Sequence, residues 1–370
     1  MFRKIALLHR LLVVFAITLV VTLAVLQSVA FSEEYAESTI KVGAVLALTG
    51  PAQTWGEYSR RGLELALEEV NTLGGINGRN LELVIEDSQS KPAVAVTAYK
   101  KLVSVDKVPI VFGDVWAFLT NAMVPLTEQL PALLLSPTVV PNSIEEPTKR
   151  VFTMGVRIEL ARSAVDRFFK SNSEIKSVAI FCWDDPWGNA YLKVWKSSAS
   201  ANDAEVVFQS CVNDFGYDYR TDVARAISRK PDAFILAHHS ERILKHLREF
   251  DFQVPVLSTS NMVEVFHNGT LNVELAEGVY FTDWVPHGTF QRKFRDRYDV
   301  APILEAHNSY EIARAASKAL SENLDNPEVA LRQVNYQGVA GTVDFRESFS
   351  GNSGEASLMK IKGGKIVAVK

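Results

Sequence analysis

Short, unbroken apolar runs alternate along this chain with segments whose apolar residues recur at helical spacing, and the alternation runs twice. Ile40 to Leu48 (IKVGAVLAL) is continuous enough for a strand buried on both faces. Leu63, Ala66, Leu67 and Val70 then fall at i, i+3, i+4 and i+7, one face of a helix. Gly74, Gly75 and Gly78 follow at the helix end, where glycine takes positive φ freely. Leu81–Glu86, Val108–Phe112 and Ala132–Leu135 read as further strands, and Val94, Ala98, Leu102 and Val105 as the second helical stripe. After Arg150 the series restarts, with strands at Ser177–Phe181, Glu205–Phe208, Ala233–Leu236 and Val254–Leu257. Helices lie between them, including Trp187–Ser198, Tyr219–Ser228 and Glu241–Phe250. The pattern predicts an α/β fold of two doubly wound parallel-sheet lobes.

The helix expected at Leu304–Leu320 comes after the second lobe is complete, so it is expected to return to the first. The glycine-rich tail Gly341–Lys370 is strand-like (VDF, SLMKI, IVAV). The expected division is 38–156 plus 286–335 for the N-terminal lobe and 157–285 plus 336–370 for the C-terminal lobe. Three crossing segments then form a hinge. No solenoid repeat and no low-complexity tract interrupts the chain.

The first 30 residues read as a secretory signal. Arg3, Lys4 and Arg10 precede an apolar run from Leu11 to Leu26, followed by the small-x-small site Ser28-Val29-Ala30. Cleavage is expected after Ala30, and an uncleaved membrane anchor is the competing reading. No cysteine follows the run to carry a lipid.

Net charge is −4, with acid and base interspersed, and no basic stripe of the kind nucleic-acid binders carry. No G-x-S-x-G elbow, Walker loop or G-x-G-x-x-G is present, so neither an enzyme nor a cofactor is expected. Asp184-Asp185-Pro186 resembles a carboxylate pair, but an aspartate cap with proline at the first helical position accounts for it. His238 and His239 are adjacent, and on a strand they point to opposite faces, so a shared metal is not expected. His267, His287 and His307 recur at equal spacing with no structural period behind them. Cys182 and Cys211 end two successive strands of the second lobe, which places them near disulfide reach. An oxidising compartment favours a bridge, and two buried thiols are the alternative.

In an open α/β sheet, ligands bind beyond the carboxyl ends of the strands. The residues expected there are Thr49–Gly56, Gly113–Phe118, Ser136–Val140, Trp183–Gly188, His238-His239 and Ser258–Asn261. Trp55, Trp116, Trp183 and Trp187, four of the six tryptophans, fall in these loops, and Trp284 falls near an expected crossing. Several aromatics at sheet rims suggest apolar walls for a ligand.

The stretch from Ile40 to Pro92 resembles the start of the periplasmic leucine/isoleucine/valine-binding protein family, the type I solute-binding proteins of ABC transporters. The matching features are TGP-x(4)-G at Thr49–Gly56, RGLELALEEVN, GGINGR at Gly74–Arg79 and VIEDSQSKP. VFGDVWAFLTNAMVPLTEQLPALLLSP, AIFCWDDPWGNAY, DYRTDVARAISRKPDAFIL and the C-terminal hairpins continue the likeness over nearly all of the chain beyond the signal. The resemblance implies two lobes, a closing cleft, capture of a small solute outside the inner membrane, and delivery to an inner-membrane ABC permease by a monomer. It also implies positions. The first-loop aromatic corresponds to Trp55, the amino-acid head group falls at Trp116–Ala117 and at Thr138 and Val140, and the second-lobe aromatic clamp falls at Trp187. The remaining ammonium contacts fall near His238 and Asn261.

The sequence departs from the family where the head group is held. The serine expected near Trp116–Ala117 and the threonine expected near Val140 are missing, and Glu264 is the nearest acid to Asn261. A buried ammonium or carboxylate without partners is costly. The expected solute is therefore flatter or more apolar than leucine: an aromatic acid, an amide or an alkylated amine, oriented by His238 and Thr138. Asn268-Gly269-Thr270 matches a glycosylation acceptor, but the likeness is bacterial and a turn is expected. A ligand-sensing domain coupled to a signalling partner is the alternative function, and a secreted hydrolase ranks last.

Overall fold

The computed structural model describes residues 39–138, 150–214, 216–237, 240–267, 272–284, 288–346, 348–351 and 354–369. The expected signal at 1–30, His238, His239, Val140, His287 and the Asn268-Gly269-Thr270 turn all lie outside the described residues.

The first lobe is built from β1 (Thr39–Leu46), α1 (Gln53–Thr72), β2 (Asn80–Asp87), α2 (Pro92–Ser104), β3 (Ile110–Phe112), α3 (Ala117–Met123), β4 (Leu133–Ser136) and β5 (Val151–Thr153). Its five strands run in the order β2-β1-β3-β4-β5, all parallel. Alternate residues of β1 serve opposite faces: Val42, Ala44 and Leu46 enter one core with α1, and Val45 enters the other with α2. Burial on both faces explains why these strands read as continuous apolar runs. β5 escapes a reading by periodicity because three residues are too few to show one.

The second lobe follows with α4 (Arg162–Ser171), β6 (Ser177–Trp183), α5 (Pro186–Ala201), β7 (Glu205–Val212), α6 (Arg220–Ser228), β8 (Ala233–Leu236), α7 (Ser240–Glu249), β9 (Val256–Ser258), α8 (Asn261–His267), α9 (Val273–Ala276) and β10 (Tyr280–Asp283). The chain then returns through α10 (Thr289–Tyr298), α11 (Leu304–Glu322) and α12 (Pro327–Leu331), which pack on the first core through Phe290, Phe294, Ala306, Tyr310 and Leu331. A hairpin, β11 (Asn335–Gln337) with β12 (Thr342–Asp344), precedes β13 (Ser357–Lys362) and β14 (Lys365–Ala368). The second sheet runs β14-β13-β10-β9-β8-β6-β7, with β13 and β14 antiparallel. Its two faces are also covered, by Val178 and Ile180 on one side and Ala179 and Phe181 on the other.

The lobe boundaries differ from the expected ones at the third crossing. Val343 and Phe345 lie in the first core, and Tyr336 and Phe349 pack against it, so the hairpin belongs to the first lobe. The second core resumes only at Ala356 and Leu358. The hairpin is short, and its apolar positions do not reveal which core receives them.

Candidate ligand-binding cleft

Both lobes change strand order at their first strand. β1 lies between β2 and β3, and β6 between β7 and β8. The helices that follow these strands leave on opposite sides, which opens a crevice at each carboxyl edge. The cleft lies where the two edges meet, with a volume of about 490 Å³. Trp55, Val115, Trp116, Ala117, Phe118 and Thr138 line it from the first lobe, and Trp183, Asp184, Asp185, Trp187, Asn213 and Asn261 from the second. Glu305 of the returning helix α11 completes the lining.

The first-lobe wall is held by its loops. Asp87 accepts hydrogen bonds from the Leu48 and Thr49 amides at 3.0 and 3.2 Å and from the Thr49 hydroxyl at 2.6 Å. Ser90 accepts from the Ala52 amide at 3.0 Å. These bonds fix the loop that starts α1 and thus the place of Trp55. Its ring centroid lies 5.6 Å from that of Trp116, which lies 5.5 Å from Phe118, so three tilted rings form one surface. Asp114 anchors the Trp116 loop from beneath by accepting from the Val115 amide at 2.5 Å and the Ala47 amide at 3.3 Å. Burial holds its carboxyl up at about 6, against the pull of the Ser88 hydroxyl and these amides. Thr138 stands half-buried at the third loop, whose Pro137 carbonyl accepts from Asn308 of α11 at 2.9 Å.

The second-lobe wall is a helix start. Asp185 caps α5 by accepting from the Gly188 amide at 2.7 Å, with proline in the first turn. Glycine is required at 188, because a Cβ there would strike the Trp183 carbonyl. The same holds at Gly56 in α1, where a Cβ would strike the Ala47 carbonyl. Each close approach presses the helix start onto the end of the preceding strand. The tryptophan just before the glycine, Trp55 or Trp187, lines the cleft from that position. Trp187 meets Tyr191 edge-on at 4.9 Å. Cys182 and Cys211 are register partners in β6 and β7, and a disulfide joins them one residue before Trp183 in the chain.

Of the residues expected in the site, the structure brings Trp55, Trp116, Ala117, Thr138, Trp187 and Asn261 to one cavity. Val140 and His238 lie outside the described residues, as does the side chain of Glu264. Trp284 is not a wall. It is 2% exposed in the second core, and its Nε1 donates to the Gly354 carbonyl at 2.9 Å, tying two crossings together. His307 is buried in α11, where burial pushes its imidazole down to about 4. Among the described residues no cluster of His, Cys, Asp and Glu is placed to hold a metal ion, and no helix is long and apolar enough to cross a membrane.

Sequence reading missed two acids. Glu305 sits in the first turn of α11, and burial holds its carboxyl up at about 7. Asp283, at the end of β10, is 8% exposed. Burial, with a further push from Glu305's charge, holds it at about 7 as well, against a hydrogen bond from the Trp284 amide. Neither follows a strand that periodicity identified, so neither position stood out.

Comparison with known proteins agrees with this architecture. The periplasmic binding protein family matches residues 39–365. The Leu/Ile/Val-binding protein BraC3 of Rhizobium johnstonii is similar at 23% identity, over 94% of this chain and 98% of its own length. The substrate-binding protein LivJ of Streptococcus pneumoniae, solved with isoleucine, superposes with a TM-score of 0.79 at 20% identity, covering 90% of this chain and 99% of LivJ. An ABC transporter solute-binding protein from R. palustris, solved with benzoate, gives 0.77 at 19% identity, covering 90% and 95%. The match over most of the chain, the two parallel-sheet lobes and the cleft between them lead to one conclusion: the chain belongs to the periplasmic binding protein family of solute-binding proteins, in its two-lobed type I form.

Proposed function

We propose that this protein captures a small amino-acid-like, aromatic or apolar solute between its lobes, outside the inner membrane, and delivers it to the permease of an ABC importer. The observation that carries this reading is the aromatic lining contributed from both sides of one cavity: Trp55, Trp116 and Phe118 from the first lobe, Trp183 and Trp187 from the second. Capture of this kind needs no bond chemistry. A micromolar ligand requires about 8 kcal/mol, within reach of a drug-sized apolar body and a few hydrogen bonds. Relatives of the same fold hold isoleucine and benzoate, which supports a cleft of this size taking either an aliphatic or an aromatic body. The charged start and apolar run before residue 30 support export, and N-terminal sequencing of the exported protein tests the cut, an intact Met1 refuting cleavage.

The test is a thermal-shift screen over amino acids, aromatic acids, amides and amines. A ligand at a hundred times its Kd stabilises the fold by about 2.7 kcal/mol and raises the melting temperature. Trp187→Ala is expected to weaken that ligand more than ten-fold in a protein that remains folded. Unchanged affinity removes Trp187 from the site.

A further inference from the structure

We propose that the solute is an apolar or aromatic amine, its cationic head beside Glu305, Asp184 and Asp185 and its carbon body between the indoles of Trp55, Trp116 and Trp187. This rests on the reading of the cleft as a solute site and narrows it from three ligand classes to one.

The cavity itself supplies the first observation. Every charged side chain on its described lining is acidic: Asp184, Asp185 and Glu305, with no lysine or arginine among the described lining residues. An aromatic acid or an α-amino acid would bring a carboxylate into a space that already holds carboxylates and, among the described residues, offers no cation to meet it. Such a group pays for desolvation without a partner. A neutral amide avoids that penalty but leaves the existing acids uncompensated.

The second observation is the state of Glu305. No ion pair or side-chain hydrogen bond joins it to another described residue, although it borders the cavity. Asp283 is buried with no cationic partner among the described residues, and Glu305's charge adds to the burial that holds its carboxyl up. Glu305 is half-buried and Asp283 buried, and acids withdrawn from water are ordinarily paired. Here the missing counter-charge has a place to enter, which is the cleft.

The aromatic wall is the third. A cation within about 6 Å of an indole face is attracted by the ring's quadrupole, and more so when water is excluded. Trp55 and Trp116 lie tilted at 51° to one another with centroids 5.6 Å apart. Two such faces beside an acid select a positive head with a greasy body. A metal ion has no carbon body to fill the apolar space between them.

Calorimetry on the purified protein tests this with 2-phenylethylamine and isoamylamine, benzamide, benzoate and leucine as probes. At least one amine is expected to bind at micromolar Kd, benzamide at least ten-fold more weakly, and benzoate and leucine without measurable heat. Glu305→Gln, checked for folding by its melting curve, is expected to weaken the amine at least ten-fold, and Glu305→Asp to restore part of the loss. Tighter binding of benzoate, benzamide or leucine, no binding by either amine, or an amine affinity indifferent to Glu305→Gln overturns the assignment. If one of the non-amines binds and Trp187→Ala abolishes it, the cleft reading stands while the amine falls. If an amine binds undiminished in both Trp187→Ala and Glu305→Gln, the cleft reading falls with it.

Discussion

Trp187 and Trp195 stand about two turns apart on one helix, joined ring to ring through Tyr191 at 4.9 and 5.3 Å, yet they serve different ends. Trp195 is wholly buried in the second core, so Trp195→Ala is expected to cost about 3–5 kcal/mol in urea unfolding. Trp187 is only half-buried, and its truncation is expected to cost about 1 kcal/mol, with the larger effect falling on ligand affinity. Equal destabilisation by the two variants would make Trp187 a core residue. Glu305 gives a prediction in pH. Burial lifts its carboxyl from an ordinary 4.5 to about 7, so the folded state holds the proton more tightly than the unfolded chain. The stability that proton confers is complete below about pH 4.5 and is lost as pH rises through 7. Glu305→Gln removes this slope. The variant is expected to gain on the wild type by about 2 kcal/mol between pH 5 and pH 8, the figure reduced for the carboxyl's contact with cleft water. Parallel stability curves for the two proteins over that range would refute it. The two residues also differ in how far the sequence reveals them. Trp187 follows a recognisable strand and so marks a sheet rim, whereas Glu305 reaches the cleft only because α11 returns to it from the far end of the chain.

At the scale of elements, the two lobes use one device twice: a strand end, a tryptophan, then a glycine in the first turn of the next helix. The glycines were legible as part of a family-like pattern, but their physical purpose was not, since it depends on how closely α1 and α5 approach β1 and β6. Gly188→Ala forces a methyl against the Trp183 carbonyl. It is expected to cost about 1–3 kcal/mol and to weaken the ligand as Trp187 shifts, measurable by urea titration and calorimetry on one preparation. A variant as stable and as tight-binding as the wild type would mean the helix start moves freely. The disulfide between β6 and β7 closes a span of 29 residues, for which chain entropy gives about 3–4 kcal/mol. Cys182→Ser with Cys211→Ser is expected to lose that much, and the denatured wild type to show no reactive thiol. Two titrated thiols would contradict the bridge. Strands buried on both faces were legible from their apolar runs. β5 and the β11–β12 hairpin were not, because short elements take their place from neighbours rather than from any pattern of their own.

For the molecule as a whole, the question is whether three crossings act as one hinge. The first and third run side by side: the Thr153 amide donates to the Phe349 carbonyl at 2.8 Å, and the Gly351 amide to the Thr153 carbonyl at 2.9 Å. The second joins the third through the indole of Trp284 on the Gly354 carbonyl. Segments bonded in this way lie alongside one another, where a single hinge axis would pass. Trp284 sits in the second core, far from the role of a wall, and the sequence could not separate those uses because both place an indole just past a strand. Trp284→Phe keeps a ring in that core but deletes the bond. It is expected to lower stability by about 1–2 kcal/mol and to change ligand affinity by no more than about five-fold, since one neutral hydrogen bond is worth about 1 kcal/mol. Small-angle scattering supplies the matching observation. Saturating ligand is expected to reduce the radius of gyration of both the wild type and Trp284→Phe, because closure draws the lobes together whichever bonds trim the axis. A radius that does not move on saturation would mean that the cleft holds its solute without closing, and that these crossings are braces rather than a hinge.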